Sequence, residues 1–345
     1  MTRTCHLHIG TTKTGSTSIQ RTYQDLDDGR TRYLQLRIPN HSRVLTALYA
    51  PDDAARADAL RLAKLTPAKA AQWRTSMQAQ IADHPDSDLV ISGEGLSKWA
   101  DARMVAALAD DLAAFDNVHV LAYLRAPGSW MASSFQQQLR NAALPFDLDA
   151  LFPLYRDWFQ PWEDVFGADA VTLVPFDPTG FPNGDVVADF AARCGLPAPD
   201  RPLPREKPAL PAEAVAVLYA HRMARGTPPL ADRSDALVNR AVVDGLRSLG
   251  QTRFAIDPAA LAPVAARHDD QISWAQARMG PFPPVSEPVS PTFGTAADLQ
   301  AFATAQIPGL HDMLRNMGVR HALPDDAIEL VDTAYAQARA TLPGS

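Results

Sequence analysis

Basic and hydroxyl residues near the start of the chain have the spacing of an anion-binding loop. A loop of glycine and threonine surrounds Lys13 at residues 10–15, and residues 16–18 then provide hydroxyl groups suited to a helix N-terminus. Backbone N–H groups at the start of a helix attract anions, and the lysine adds a full positive charge. We therefore predict that this segment binds a phosphate or a similar anionic group.

The position of the lysine distinguishes this loop from the common nucleotide-binding P-loop. That loop has the pattern G-x-x-x-x-G-K-[ST], in which the lysine directly follows the second glycine. Here Lys13 precedes Gly15 by two positions and follows Gly10 by three. The spacing therefore places the lysine on the loop itself, beside the end of a bound phosphate chain.

The string K-T-G-S-T after a predicted strand resembles the 5′-phosphosulfate loop of sulfotransferases that use 3′-phosphoadenosine 5′-phosphosulfate (PAPS). The longer string HIGTTKTGSTSIQ is most similar to the bacterial members of that family. The resemblance covers roughly residues 5–200, and it implies a P-loop-like α/β fold, PAPS as donor and a hydroxyl or amine as acceptor. It also implies that Lys13 neutralises the departing oxygen and that the donor contacts Lys13, Thr14, Gly15, Ser16, Thr17 and Ser18.

A second motif follows another predicted strand. Arg125 comes directly after the strand at 118–124, and Ser133 lies eight residues later, near the start of the next predicted helix. The string L-R-A-P-x-x-x-x-x-S resembles the 3′-phosphate site of the same family, where an arginine fork and a helix hydroxyl bind the phosphate. The alternatives are Ser134 in place of Ser133 and a structural ion pair for Arg125. The late R-K-G loop of the cytosolic eukaryotic enzymes has no clear counterpart, and 205–207 (R-E-K) is expected to be a solvated loop.

Transfer to a hydroxyl group needs a general base, and the sequence offers two candidates. Glu94 lies in the loop after the predicted strand 88–92, at the edge of the sheet where open α/β folds bind ligands. Its S-G-E string resembles an S-x-E string of bacterial sulfotransferases, a family that uses glutamate or histidine in this role. His41, in a turn before an apolar helical stretch, is the second candidate. A helix-capping role for Glu94 and a packed side chain for His41 are the alternatives.

No metal site is predicted from the sequence. Sulfuryl transfer does not demand a divalent metal, and His6 and His8 lie at strand spacing without an acidic or cysteine partner. We therefore expect them to be packed or edge histidines. His119 lies within a predicted buried strand and is expected in the core.

Two other functions fit the same motifs. A small-molecule P-loop kinase would use Glu94 to help hold Mg²⁺ and Arg125 to bind a transferring phosphate. The position of Lys13 argues against this alternative. A non-catalytic nucleotide-binding protein of the same fold is the second alternative, and the presence of Lys13, Arg125 and Ser133 argues against it.

The elements that position these residues alternate along the chain. Continuous apolar runs predict buried parallel strands, and segments of helical composition lie between them. The predicted strands are 5–9, 33–38, 88–92, 118–124 and 171–175; the predicted helices after the first one are 54–65, 67–83, 103–115, 128–140, 149–166 and 183–194. The alternation predicts a doubly wound parallel sheet flanked by helices, with functional loops at the carboxyl ends of its strands.

The composition changes at residue 197, where six prolines occur within fifteen residues. We therefore predict a PAPS-binding α/β core at 1–196, followed at 197–345 by a Pro-rich connection and a helical elaboration packed on the core. The predicted helices of this second region are 211–225, 232–250, 258–279, 295–305 and 324–341. The acceptor stays open, because carbohydrate, lipid, phenol and peptide acceptors all fit the motifs.

The bulk composition is that of an ordinary soluble globular protein. The chain has 345 residues, 46% of them hydrophobic and 21% charged, and its net charge of −7 argues against a nucleic-acid partner. No apolar run approaches the length of a transmembrane helix, and the N-terminus has no apolar signal core. Cys5 and Cys194 are the only cysteines, so we expect buried thiols rather than a disulfide framework, and a cytoplasmic location. The oligomeric state is left open.

Overall fold

The structure is a computed structural model that describes residues 2–51, 53–198, 209–228, 232–284 and 291–341. These residues form two units that interleave along the chain. The first comprises the described residues of Met1–Ala126, Leu154–Glu206 and Asp269–Pro284, and the second those of Pro127–Pro153, Lys207–His268 and Val285–Ser345. The division at residue 197 suggested by composition stays a prediction, since these units are defined by contacts between segments distant in sequence.

A five-stranded parallel sheet forms the centre of the first unit. Its strands are β1 (Thr4–His8), β2 (Thr31–Tyr33), β3 (Asp88–Ser92), β4 (Asn117–Leu124) and β5 (Val171–Pro175). Their order across the sheet is β2-β3-β1-β4-β5, and all neighbours run parallel. This confirms the predicted α/β fold class with a parallel sheet, and it places the strand before the lysine loop in the middle of the sheet.

The described residues contain sixteen α-helices and three short 3₁₀ helices. The α-helices are α1 (Ser16–Tyr23), α2 (Ser42–Tyr49), α3 (Asp53–Ala63), α4 (Pro67–Ala82), α5 (Leu96–Trp99), α6 (Ala102–Leu112), α7 (Pro127–Leu139), α8 (Tyr155–Phe166), α9 (Val186–Cys194), α10 (Ala212–Arg225), α11 (Arg233–Gly245), α12 (Pro258–Arg267), α13 (Asp269–Met279), α14 (Ala296–Thr304), α15 (Ile307–Asn316) and α16 (Ala327–Thr341). The 3₁₀ helices are Ala168–Ala170, Pro182–Gly184 and Leu246–Leu249. No helix in the described ranges has both the length and the apolar character needed to cross a membrane.

Two predicted elements differ from the structure in ways that have a local cause. The helix predicted at 258–279 is divided at His268 into α12 and α13, because Asp269 and Asp270 supply the acidic first turn of a new helix. The strand predicted at 33–38 ends early, since the Gln35 amide donates to the side chain of Gln80 rather than to a strand. Helix α15 was not predicted.

One face of the sheet is covered by α1 and α9. Ile19 and Tyr23 of α1 and Phe190 of α9 are buried in the same cluster as Leu121 and Val174 of the strands. Helix α9 begins at an Asp185 side-chain cap and ends at Gly195, which has a left-handed backbone. The two caps fix the length of α9, whose first residue, Val186, lies beside the lysine loop and whose remaining turns lie along the sheet.

The second unit is helical and is organised around α10. Residues of α10 on every side of the helix are buried, among them Val215, Leu218 and Tyr219, as expected for a helix at the centre of a core. It packs on α7, α14, α16 and the 3₁₀ helix Leu246–Leu249. Arg222 of this helix is also buried and donates hydrogen bonds to Asn239 and Tyr335. Both hydrogen bonds come from Nη2, so they satisfy one nitrogen of a buried guanidinium that would otherwise be costly to bury.

Candidate functional site

The loop between β1 and α1 is held against strand β4 by Ile9 and Thr11. The Ile9 amide donates to the Leu121 carbonyl at 3.0 Å, and the Thr11 hydroxyl donates to the Tyr123 carbonyl at 2.9 Å. The Thr14 hydroxyl then donates to the Thr11 carbonyl at 2.6 Å. Because a hydroxyl has one proton to donate, that of Thr14 is used within the loop and is not directed at a ligand.

Two residues of the loop have left-handed backbone conformations. Lys13 has φ 72° and Gly15 has φ 80°. A Cβ atom at Gly15 would lie 2.5 Å from Cγ1 of Val186 at the start of α9, so the position requires glycine for space as well as for backbone freedom. Lysine has no such freedom, and an unfavourable conformation held at such a residue is typical of a functional loop.

The first turn of α1 combines a helix N-terminus with a buried hydroxyl group. Gly15 is the N-cap and has no side chain to accept from the turn, and the amides of Ser18 and Ile19 return to its carbonyl at 2.9 and 3.2 Å. Ser16 is buried, and within the described residues its hydroxyl has no hydrogen-bond partner. Thr17 and Ser18 are half-buried. A buried hydroxyl beside a helix N-terminus can donate to an anion bound there.

The loop after β3 lies next to the lysine loop. Ser97 connects them, since its hydroxyl is 3.1 Å from the Gly10 carbonyl and 3.3 Å from the Glu94 carbonyl. Glu94 itself is half-buried, and its Oε1 accepts a hydrogen bond from Nδ2 of Asn40 at 3.3 Å. The structure therefore brings the predicted base Glu94 to the same edge of the sheet as Lys13.

His41, the other predicted base, is fully buried behind this edge. Its Nδ1 accepts from the Ser92 amide at 3.2 Å, and its own amide donates to the Ser92 carbonyl at 2.8 Å. Burial lowers the pKa of His41 to about 3, so the ring is neutral near pH 7. The ring packs against Tyr33 with centroids 5.0 Å apart. These contacts are those of a packed side chain, the alternative stated for His41 from the sequence.

A buried polar cluster below the lysine loop was missed by sequence reasoning. His8 Nδ1 lies 2.8 Å from the hydroxyl of Ser92, which also accepts from the side chain of Gln20 at 3.2 Å. Burial lowers the pKa of His8 to about 3. The only sequence signal was the presence of polar residues at the ends of two apolar strands. The cluster ties β1, β3 and α1 together directly beneath the loop.

The predicted 3′-phosphate residues lie on different units. Arg125 follows β4 in the first unit, where its guanidinium lies 5.0 Å from the ring centre of Phe176 and its carbonyl accepts from the hydroxyl of Tyr155. Ser133 is half-buried on α7 of the second unit. Its neighbour Ser134 is buried and accepts from the side chain of Gln138 at 3.1 Å. The R-E-K segment at 205–207 lies outside the described residues.

Comparison of the chain with known proteins gave no relatives. No protein-family model, no curated protein and no solved structure matches it. Function is therefore inferred from the residues of the site and from the resemblance of their motifs. Within the first unit, the residues brought together are the lysine loop, the first turn of α1 and Glu94.

Proposed function

We propose that this protein is a PAPS-dependent sulfotransferase that transfers a sulfuryl group to a hydroxyl or amine acceptor. The observation that carries the proposal is the loop at residues 10–15. Lys13 has a left-handed conformation there beside a helix N-terminus, and the buried Ser16 hydroxyl has no hydrogen-bond partner among the described residues. An ester with several anionic oxygens would satisfy these donors. The place of the loop, after the central strand of a parallel sheet, supports a P-loop-like assignment.

Each residue of the site has a distinct task in this reaction. In sulfuryl transfer the acceptor oxygen forms a bond to sulfur while the bond from sulfur to the bridging phosphate oxygen breaks. The Lys13 ammonium neutralises the negative charge that develops on the departing oxygen. The amides of Ser16 and Thr17 and the Ser16 hydroxyl bind the 5′-phosphate, while Arg125 binds the 3′-phosphate. Thr14 contributes its amide rather than its hydroxyl, which the loop already uses.

The acceptor proton passes to Glu94 in this mechanism. Glu94 is half-buried and oriented by Asn40, and its loop is linked to the lysine loop through Ser97. His41 is less suited because its ring is fully buried and its Nδ1 is already an acceptor for a backbone amide. A base must come within hydrogen-bond reach of the proton it removes, which favours the half-buried carboxylate.

Binding to immobilised 3′-phosphoadenosine 5′-phosphate, in buffer with a metal chelator, tests the nucleotide assignment. We expect retention of the wild-type protein and weaker retention of Lys13→Ala, while Lys69→Ala, which removes an exposed lysine from α4, behaves as the wild type. Binding of ATP that requires Mg²⁺, with no preference for the 3′-phosphorylated nucleotide, would instead identify a kinase.

A transfer assay with sulfur-labelled PAPS and a panel of carbohydrate, lipid, phenol and peptide acceptors tests the reaction itself. Label in a product of any class supports the proposal and identifies the acceptor. Nucleotide binding without transfer to any acceptor class would identify the non-catalytic alternative.

A further inference from the structure

Two histidines and a cysteine from three separate elements meet on the face of the sheet covered by α9. His6 of β1 and His119 of β4 are direct neighbours in the parallel register, and their rings lie edge to face with centroids 5.8 Å apart. Cys194 is the last residue of α9. One nitrogen of each ring and the Cys194 sulfur all lie within 4.8 Å of one another. His6 therefore has the cysteine partner that the sequence did not indicate.

The fold fixes this arrangement through contacts on each of the three elements. Adjacent parallel strands place paired residues on the same face, so β1 and β4 direct both imidazoles towards α9. Phe190, one turn before Cys194, packs its ring on His8 with centroids 5.4 Å apart. Gly195 ends the helix at that point. The cysteine is therefore held over the histidine pair by a helix whose position is set elsewhere in the core.

The polar atoms of the cluster are only partly satisfied by the protein. His6 is 9% exposed, and within the described part of the chain its Nδ1 has no hydrogen-bond partner. Nε2 of His119 lies 3.1 Å from the hydroxyl of Thr172, which orients that ring and leaves Nδ1 as its other nitrogen. The buried Nδ1 of His6 is therefore available to a ligand. A metal-ligating histidine usually binds the metal through one ring nitrogen and forms a hydrogen bond through the other, as His119 does with Thr172.

We propose that His6, His119 and Cys194 bind a divalent metal ion of borderline softness, with Zn²⁺ the best fit. Zinc prefers imidazole and thiolate ligands, whereas Mg²⁺ and Ca²⁺ are hard cations that prefer oxygen ligands. Tetrahedral bonds of about 2.0–2.3 Å place neighbouring ligand atoms about 3.4–3.6 Å apart, so the three atoms must approach by up to about 1.4 Å. Side-chain rotation supplies a movement of this size.

The surroundings of the cluster allow a cation to enter and remain. His119 is half-buried, so one side of the cluster is open to solvent, and a water molecule completes the coordination there. The nearby guanidinium of Arg193 is paired with Asp189 at 2.6 Å, so its charge is already compensated. Metal binding replaces the thiol proton of Cys194, which is released to solvent.

The expected effect of the metal is to fix α9 to the sheet. Val186, at the first turn of α9, packs on Gly15 of the lysine loop at the carboxyl end of β1. The metal ligands lie at the last turn of α9 and before the carboxyl ends of β1 and β4. The site is therefore independent of the proposed sulfotransferase chemistry, and binding of a metal is measured without nucleotide or acceptor.

Cobalt substitution tests the site directly. Chelator-treated full-length protein titrated with Co²⁺ should bind one ion per chain and show the near-ultraviolet charge-transfer band of a cobalt–thiolate bond, and Zn²⁺ should abolish that band. Cys194→Ser should remove the band, while Cys5→Ser, which alters the other buried thiol on the opposite face of the sheet, should keep it. His119→Asn should weaken Co²⁺ binding by more than about 100-fold, beyond the loss from altering an outer partner. His321→Ala, at an exposed histidine, should have no effect.

Wild-type protein that binds no Co²⁺ or Zn²⁺ stoichiometrically would overturn the proposal, whatever the variants do. A cobalt–thiolate band that survives in folded Cys194→Ser would also overturn it. If Cys194→Ser does not fold, the thermal unfolding midpoint of the wild type, measured with and without Zn²⁺, tests the site instead. It should rise with added Zn²⁺ as expected for a ligand that binds the native state, and an unchanged midpoint contradicts the site.

Discussion

Replacement of Lys13 by alanine and by glycine should separate the charge of this residue from its backbone strain. Both variants remove the ammonium group, so both should lose the stabilisation of the departing oxygen. Removing one preorganised charged donor costs about 2.7–4 kcal/mol in the transition state, or about 10²–10³ in kcat. The loss of donor affinity should be smaller, because the negative charge on the bridging oxygen develops only during transfer.

The two variants should differ in stability. A residue with a side chain pays about 1–2 kcal/mol to adopt the left-handed conformation that Lys13 has at φ 72°. Alanine keeps this cost and glycine does not, so Lys13→Gly should be more stable than Lys13→Ala by about 1 kcal/mol in the free energy of unfolding.

Urea denaturation of both variants and a transfer assay at saturating PAPS provide the two measurements. Lys69→Ala serves as the control for removal of a lysine from the surface, and it should match the wild type in both. Turnover by Lys13→Ala within a few-fold of the wild type would remove the lysine from the mechanism. Equal stability of the alanine and glycine variants would show that the backbone at residue 13 is not held in a strained conformation.

Three further outcomes are expected. Arg125→Ala should weaken binding of 3′-phosphoadenosine 5′-phosphate by about 1.5–3 kcal/mol in a calorimetric titration and leave adenosine 5′-phosphosulfate unaffected; equal losses for both would mean that Arg125 supports structure. Glu94→Gln should lower kcat by about 10²–10⁴ with donor binding unchanged, and a near-normal kcat would exclude this carboxylate as the base. The third outcome concerns pH: His41 is neutral in the folded protein, with its pKa lowered from 6.5 to about 3, so the unfolded chain binds the extra proton between these values. The contribution of His41 to the free energy of unfolding is therefore complete above pH 6.5 and declines as the pH falls towards 3. Urea denaturation of His41→Asn at a series of pH values should show a shallower decline of the free energy of unfolding. A decline equal to that of the wild type would contradict the buried neutral ring.

The lysine loop was predictable because its signals are local. A period-two strand, two glycines and a run of hydroxyl residues mark β1, the turn and the start of α1. The expected hydroxyl cap is not formed, because Gly15 is the N-cap and Ser16 is already the first residue of the helix. The apolar runs of β3, β4 and β5 are similarly explicit, since strands buried on both faces are rich in apolar residues. The short strand β2 (Thr31–Tyr33) has no such run and was predicted at 33–38 instead. The parallel sheet follows from the order of these runs.

The parts of the site that depend on packing between distant segments could not be read from the sequence. The burial of His41 depends on its bonds to Ser92, fifty-one residues later. The engagement of the Thr14 hydroxyl depends on backbone geometry within the loop. The meeting of Cys194 with His6 joins the first strand of the sheet to the ninth helix, and no pattern of spacing links two residues so far apart.

The interleaving of the two units has a consequence for the order in which the protein folds on the ribosome. The last strand of the sheet ends at residue 175, yet α13, which packs on β5 and α8, is synthesised about ninety residues later. Until Arg278 leaves the exit tunnel, the carboxylate of Glu163 lacks the two hydrogen bonds, at 2.6 and 2.8 Å, that compensate its burial. The nascent first unit therefore keeps one side uncovered while most of the second unit is made.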